Sequence, residues 1–322
     1  MKNKKSALIR ITVSFGLLGL LFWLMRHNIR DIWSIISASN LNFLAAAAVF
    51  FVINVAMLAY RMKIIFLGEN LSITLRESLE LTFVGYFFNN FMPTAIGGDI
   101  VKAHYAARTN GKKLQSYASV FMDRFIGLYT YLVVAAVALV VDRGRFQLMT
   151  IRILVFLLVI LGITGFVIAT NKAVARFMER FFARIKMFRL GERLNGVYNI
   201  VHDYRNRRDV LVKSFSVSIV AQCLYFGIVY VFFLSLGARV NLGNVFLIMP
   251  VVTFISMAPS MGGLGVREGA FVAFFATLTG KETAFAASLL LLLGFLLISV
   301  IGGVIYLWWG LRGERRGVCS DR

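Results

Sequence analysis

Six ionisable residues lie inside apolar sequence: Asp99, Lys102, Asp123, Arg124, Arg267 and Glu268. Four of them belong to two short breaks in the hydrophobic pattern, "NNFMPTAIGGDIVKAHYAAR" at 89–108 and "MAPSMGGLGVREGAF" at 257–271. The first break runs Asn90, Pro93, Gly97, Gly98, Asp99, Lys102; the second runs Pro259, Gly262, Gly263, Gly265, Arg267, Glu268. Each has a proline, then a Gly-Gly pair, then an acid and a base, and two of the three prolines of the chain are spent here. Proline removes a backbone donor and stops a helix, while glycine permits a turn and close approach. The free N–H ends of the half-helices that follow, at 98–101 and 263–267, are expected to attract an anion such as phosphate. Neither break is a nucleotide loop, because no Gly-Lys-Ser/Thr follows.

The elements that must position these charges are membrane spans. Hydrophobic residues make up 59% of the 322, only 16% are charged, and mean hydropathy is +0.78. That composition lies far outside the globular range. Apolar runs at 7–25, 43–60, 117–141, 151–169, 210–236 and 284–309 approach or exceed the roughly 20 residues needed to cross about 30 Å of hydrocarbon. Alternating ten-residue strands are absent from the sequence, which excludes a β-barrel. The fold class is therefore all-α and polytopic. Cys223 and Cys319 build no disulfide framework or metal site, and His27, His104 and His202 share no ligand spacing. No cofactor is implied.

The net charge of +20 is concentrated. Lys2, Lys4, Lys5 and Arg10 lie at the N-terminus, and Arg312, Arg315, Arg316 and Arg322 at the C-terminus. Between Lys172 and Lys213 stand eleven Lys or Arg against four Asp or Glu, with Arg176, Arg180 and Arg184 interleaved with phenylalanines. Short basic loops stay in the cytoplasm, so both termini and this connector are expected there. The connector is expected to lie on anionic headgroups, and topology, not nucleic acid, accounts for the basicity. The run at 7–25 is too long for a signal peptide and reads as a retained span.

Threading the chain through places "RHNIRDIWSIISASN" outside and Arg61, Lys63 and Arg76 in the cytoplasm. Residues 79–107 must then enter and leave on the cytoplasmic side, bending at 93–98, and residues 245–279 must dip in from outside, bending at 259–265. The expected architecture is six full spans and two opposed re-entrant hairpins in a pseudo-inverted repeat. It divides as a first half 1–170, a connector 171–213, a second half 214–311 and a tail 312–322. Inverted repeats of interrupted helices place polar sites near mid-membrane, since broken backbone survives in lipid only where protein or a wet cavity covers it. The plainer account is that Gly and Pro let helices pack or kink; two similar charged breaks weigh against it.

An ionisable group at mid-bilayer costs at least about 2.5 kcal/mol unless it is paired or wet. Asp123 and Arg124 are helix neighbours pointing about 100° apart, so each is expected to meet a charge elsewhere, on one of the hairpins.

"NNFMPTAIGGDIVKA", "SYASVFMDRFIGL" and "MAPSMGGLGVREGAF" resemble the signature stretches of the lysylphosphatidylglycerol synthase transmembrane-region family, also called flippase-like. The resemblance covers nearly the whole chain in order and spacing. It implies movement of a lipid with a polar headgroup between leaflets. It maps the family's motif positions onto Asn90, Pro93, Gly97, Gly98, Asp99, Lys102, Asp123, Arg124, Pro259, Gly262, Gly263, Gly265 and Glu268. Lys102 stands where an arginine often occurs. Full synthases append an aminoacyl-transferase domain, and the sequence after the last span is expected to be only a short tail.

The leading expectation is a flippase-like transporter of a phosphate-bearing lipid. Lys102, Arg124 and Arg267 would neutralise the headgroup, and Asp99, Asp123 and Glu268 would hold those bases or couple protons. Two alternatives stand beside it: an integral-membrane transferase using Asp99, Asp123 or Glu268 as base or metal ligand, and an accessory subunit recruiting a lipid-modifying synthase. Membrane lipids are the expected partners, with such a synthase or a second copy of the chain as further ones. A bacterial or archaeal cell membrane is the expected location.

Overall fold

The computed structural model describes residues 26–92, 97–142, 149–170, 207–258, 260 and 262–316, together with 16, 19 and 23. The expected first span at 7–25, Pro93, Pro259, most of the basic connector and the tail beyond 316 lie outside the described residues.

The described chain is all-helical: α1 (Ile29–Ser37), α2 (Leu41–Gly68), α3 (Leu75–Phe91), α4 (Gly97–Asn110), α5 (Lys113–Asp142), α6 (Met149–Thr170), α7 (Arg208–Ser235), α8 (Leu242–Ser256), α9 (Val266–Thr279) and α10 (Lys281–Arg316). Four of them, α2, α5, α7 and α10, are long and apolar enough to cross a membrane. The protein is a polytopic α-helical membrane protein. Helix α6 covers the run at 151–169 that was expected to be a span. Helix α7 begins at Arg208, so its first turns overlap the finish of the expected connector.

Helix boundaries follow local chemistry. Thr74 and Glu77 form a capping box that starts α3, with Thr74 N–H donating to Glu77 Oε2 at 2.7 Å. Helix α3 stops at Phe91, and Met92 is extended with ψ 140°, as a residue before proline prefers. Asn40 and Asn241 cap α2 and α8 by accepting from Asn42 and Gly243 N–H, each at 2.9 Å.

Helices α2 and α7 pack most extensively, and α10 lies along α3. Glycines let α10 come close: a Cβ on Gly302 would lie 2.0 Å from the Phe83 carbonyl oxygen. The main core gathers Phe51, Phe226, Phe233, Phe271 and Phe275 between α2, α7, α8 and α9.

Two ends of the bundle are tied by specific contacts. At one, Lys112 Nζ donates to the Asn70 carbonyl at 3.2 Å, Ser72 Oγ donates to Asn110 Oδ1 at 3.2 Å, and Trp309 Nε1 donates to Glu80 Oε2 at 3.0 Å. The start of α3 and the finish of α4 therefore share one end with the finish of α10. At the other, Asn40 N–H donates to the Ser235 carbonyl at 2.8 Å and Asn28 Nδ2 to Glu282 Oε1 at 2.5 Å. The start of α8 and the finish of α9, each a few residues from α7 or α10, belong to this second end. Helix α1 also sits here, within the stretch "RHNIRDIWSIISASN" that joins the first two apolar runs. Its Ile32 packs against Val272, Phe285 and Ala286, and Ile29, Ile32, Ile35 and Ile36 carry the three-to-four spacing that stabilises it.

Candidate functional site

The two breaks meet. A Cβ on Gly262, whose φ is +55°, would lie 2.8 Å from Asn90 Oδ1 and 2.9 Å from the Asn89 carbonyl oxygen. The turn between α8 and α9 is thus pressed onto the last turn of α3. Beside this contact is a cavity of about 310 Å³. Its lining includes Asn90, Asp99, Lys102, Asp123, Arg124, Gly262, Gly263 and Arg267, eight of the residues singled out in the sequence.

The charges are arranged in linked pairs. Arg124 of α5 donates through Nη1 to Asp99 Oδ2, joining α5 to α4. Lys102 Nζ stands 3.8 Å from the other oxygen of Asp99. Asp123 accepts from Arg61 Nε of α2 at 2.7 Å. The neighbours Asp123 and Arg124 do turn to different helices, as their angular separation requires. Arg267 and Glu268 behave differently: they pair with each other, Arg267 Nη2 lying 2.7 Å from Glu268 Oε1.

Of the remaining expected residues, Pro93 and Pro259 lie outside the described set, and Gly97, Gly98, Gly265 and Glu268 do not line the cavity. Gly98 faces α3: a Cβ there would come within 2.1 Å of the Gly85 carbonyl oxygen. Glu268, fully buried, accepts from the Gly265 N–H at 2.7 Å and so caps α9. Gly97 is buried at the start of α4, and Gly265, with φ +78°, is the N-cap of α9. The Gly98 N–H donates to Asn89 Oδ1 at 2.9 Å. The amides at Gly98 and Gly265, two of those at the expected half-helix ends, are therefore satisfied by side chains.

Arg61 was expected just past the end of a span at 43–60, but α2 continues past it to Gly68, and Arg61 is 6% exposed. Its Nη1 also donates to Ser218 Oγ of α7 at 2.9 Å, so one guanidinium ties three helices. The signal was available: "MKIIFLG" after Arg61 is itself apolar. Asn54 and Gln222 were likewise missed. They are amides inside spans, donating to the Ala221 and Gly127 carbonyls at 2.6 and 3.4 Å. Tyr86, Tyr131, Tyr225 and Thr253 complete much of the polar wall.

The family model described as "Lysylphosphatidylglycerol synthase TM region" matches residues 7–312. UPF0104 membrane protein PH1989 of Pyrococcus horikoshii is 27% identical over 331 residues, covering 94% of this chain and 97% of that protein. Two UPF0104 membrane proteins of Methanothermobacter thermautotrophicus are also similar. One is 27% identical over 72% of this chain and 73% of its own length, the other 24% identical over 94% of each.

Proposed function

The chain belongs to the lysylphosphatidylglycerol synthase transmembrane-region family, and on that premise we propose that it is a flippase-like transporter that moves a phosphate-bearing lipid headgroup between leaflets. The observation that carries this reading is the junction of Gly262 with Asn89 and Asn90 at the wall of a charged cavity. Helices α3 and α4 reach this junction from one end of the bundle, and α8 and α9 from the other. At about 1.5 Å per residue, helices of 14 to 17 residues are about 21–26 Å long. That is short of the roughly 30 Å hydrocarbon core. Two opposed re-entrant pairs in an inverted repeat account for these lengths, for the shared ends and for polar groups between them.

In this reading the end of the bundle bearing Arg108, Lys112, Lys113, Arg207 and Arg208 faces the cytoplasm of a bacterial or archaeal cell. The headgroup passes through the cavity while its acyl chains stay in the bilayer, and no covalent change occurs. The basic connector holds anionic lipid at the cytoplasmic surface.

The test is reconstitution of the full-length protein in vesicles of phosphatidylcholine and phosphatidylglycerol, with a trace of headgroup-reporting phosphatidylglycerol in the inner leaflet. Protein should accelerate appearance of the reporter outside, with the lipid chemically unchanged by mass spectrometry. A rate equal to that of protein-free vesicles overturns the reading, and a new covalent product replaces it with the transferase alternative.

A further inference from the structure

The third proline of the chain, Pro250, stands inside α8 rather than at a break. It has no N–H to give to the Phe246 carbonyl four residues back, so the helix is loosened there. Two hydroxyls add to the weakness. Thr253 Oγ1 donates to the Met249 carbonyl at 2.8 Å and Ser256 Oγ to the Thr253 carbonyl at 2.6 Å, a back-bonding that bends helices. The last turn is tightened as well, the Met257 and Ala258 N–H groups donating to the Phe254 and Ile255 carbonyls at 3.2 and 3.0 Å. Burial changes over the same stretch. Residues 247–252 cover every side of the helix and are all buried, whereas Ile255 and Ala258 are exposed.

Beyond α8 the chain turns through Gly262, Gly263 and Gly265, whose φ values of +55°, +80° and +78° suit glycine. The turn leads into α9, which is well anchored. Phe271 and Phe275 lie against Phe233 of α7 with ring centroids 5.8 and 4.9 Å apart, and the Arg267 guanidinium covers the Phe295 ring of α10 at 4.6 Å. Residues 251–262 are therefore suspended between two joints, with a packed helix base on one side and a packed helix on the other. They carry Thr253, Ser256, Met257 and Gly262 of the cavity wall. The break they touch is held from two directions. Asn90 Nδ2 donates to Ser299 Oγ of α10, the Gly98 N–H donates to Asn89 Oδ1, and a Cβ on Gly303 would lie 2.9 Å from the Phe87 ring.

We propose that residues 251–262 form a gate that swings about Pro250 and the glycine turn, shutting the cavity where Gly262 rests on Asn89 and Asn90. The proposal rests on the cavity being the site of the transport reading and adds how that site is entered. A small bend at a hinge moves the far end of a lever while its packed base stays in place. Swinging the segment away lifts Gly262 off Asn90 and withdraws Thr253, Ser256 and Met257 from the wall. The cavity then opens on the side from which α8 and α9 enter, and the end of α3 is the fixed post on which the gate closes. Pro250 does not line the cavity; it is a positioning residue that sets the pivot.

The experiment places spin labels on full-length protein carrying Cys223→Ser and Cys319→Ser, in nanodiscs of phosphatidylcholine and phosphatidylglycerol. Ile255→Cys with Leu67→Cys reports the gate, and Leu242→Cys with Leu67→Cys reports the base of α8. Double electron–electron resonance should give two distances for the first pair and one for the second. Pro250→Ala restores the missing hydrogen bond in one of the two states, which changes their ratio about fivefold. The minor distance and the vesicle translocation rate should each fall by that factor. A single distance for the 255–67 pair overturns the proposal, and so do two distances for the 242–67 pair, which would mean that α8 moves whole. These parent distances decide the matter even where Pro250→Ala does not fold. Both distances surviving unchanged in a folded Pro250→Ala variant also overturns it. Normal translocation by a variant that has lost the minor distance overturns the gate and leaves the transport reading standing. Two distances that depend on Pro250, in a protein that translocates no lipid, keep the hinge and sink the transport reading.

Discussion

Gly262 rests on Asn90 with no room between them, a methyl group at Gly262 coming 2.8 Å from Asn90 Oδ1. Asn90 is itself fixed, its Nδ2 donating to Ser299 Oγ of α10 at 2.5 Å. One residue pair therefore joins breaks separated by about half the sequence and anchors the junction to a full-length span.

Gly262→Ala should disturb this junction twice, by steric contact with Asn89 and Asn90 and by strain at φ +55°. A cost of about 1–3 kcal/mol is expected from each such cause. Thermal unfolding in detergent should show a lowered midpoint, and vesicle translocation should fall with it. A variant equal to the parent in both measurements would mean that the two breaks need not touch.

Arg61 and Asp123 form a buried pair with side-chain exposures of 7% and 12%. Removing one partner strands the other, so Arg61→Leu or Asp123→Leu should each cost about 3–5 kcal/mol, and the double variant should cost clearly less than their sum. A double-mutant cycle on unfolding free energy measures this. If the double variant also transports normally, the pair serves only to hold α2, α5 and α7 together.

Glu268 accepts from the Gly265 N–H and pairs with Arg267 while fully buried. Glu268→Gln keeps a carbonyl acceptor for the cap but loses the counter-charge, whereas Glu268→Ala loses both. The order of stability should be parent, then Gln, then Ala, with the Ala variant down by about 3 kcal/mol or more. Thermal unfolding checks the order; an Ala variant as stable as Gln would show that the cap contributes nothing.

Sidedness follows from the two tied ends. Lys112 belongs to the end shared by α3, α4 and α10, and Lys281 to the opposite one. In a background with Cys223→Ser and Cys319→Ser, an impermeant thiol reagent applied to intact cells should label Lys281→Cys and spare Lys112→Cys. Labelling of Lys112→Cys from outside would exclude cytoplasmic entry of the α3–α4 pair.

The helical membrane class, the long spans and the two interruptions were legible because they depend on local properties. Roughly 20 apolar residues cannot remain in water, and a proline or a glycine pair acts on its own backbone. The charged residues near the breaks stood out for the same reason, since an ionisable group in apolar sequence requires a partner wherever it folds. Even the need of Asp123 and Arg124 for separate partners followed from helix geometry alone.

Which partner each charge meets was not legible. Arg61 reads as a residue beyond the end of its span until α5 and α7 are placed beside α2, bringing Asp123 and Ser218 within hydrogen-bond distance. Gly98 and Gly262 look alike in sequence, yet Gly98 packs on α3 of its own pair while Gly262 packs on the other break. Asp99 is an ordinary acid until Arg124 of α5 takes one of its oxygens while Lys102 stands 3.8 Å from the other. Hydrophobicity and backbone chemistry act over a few residues, so the sequence by itself determined where the chain enters lipid and where it breaks. Charge pairing and contact distance depend on helices far apart in the chain, so the tertiary structure alone decided which break touches which and which charges meet.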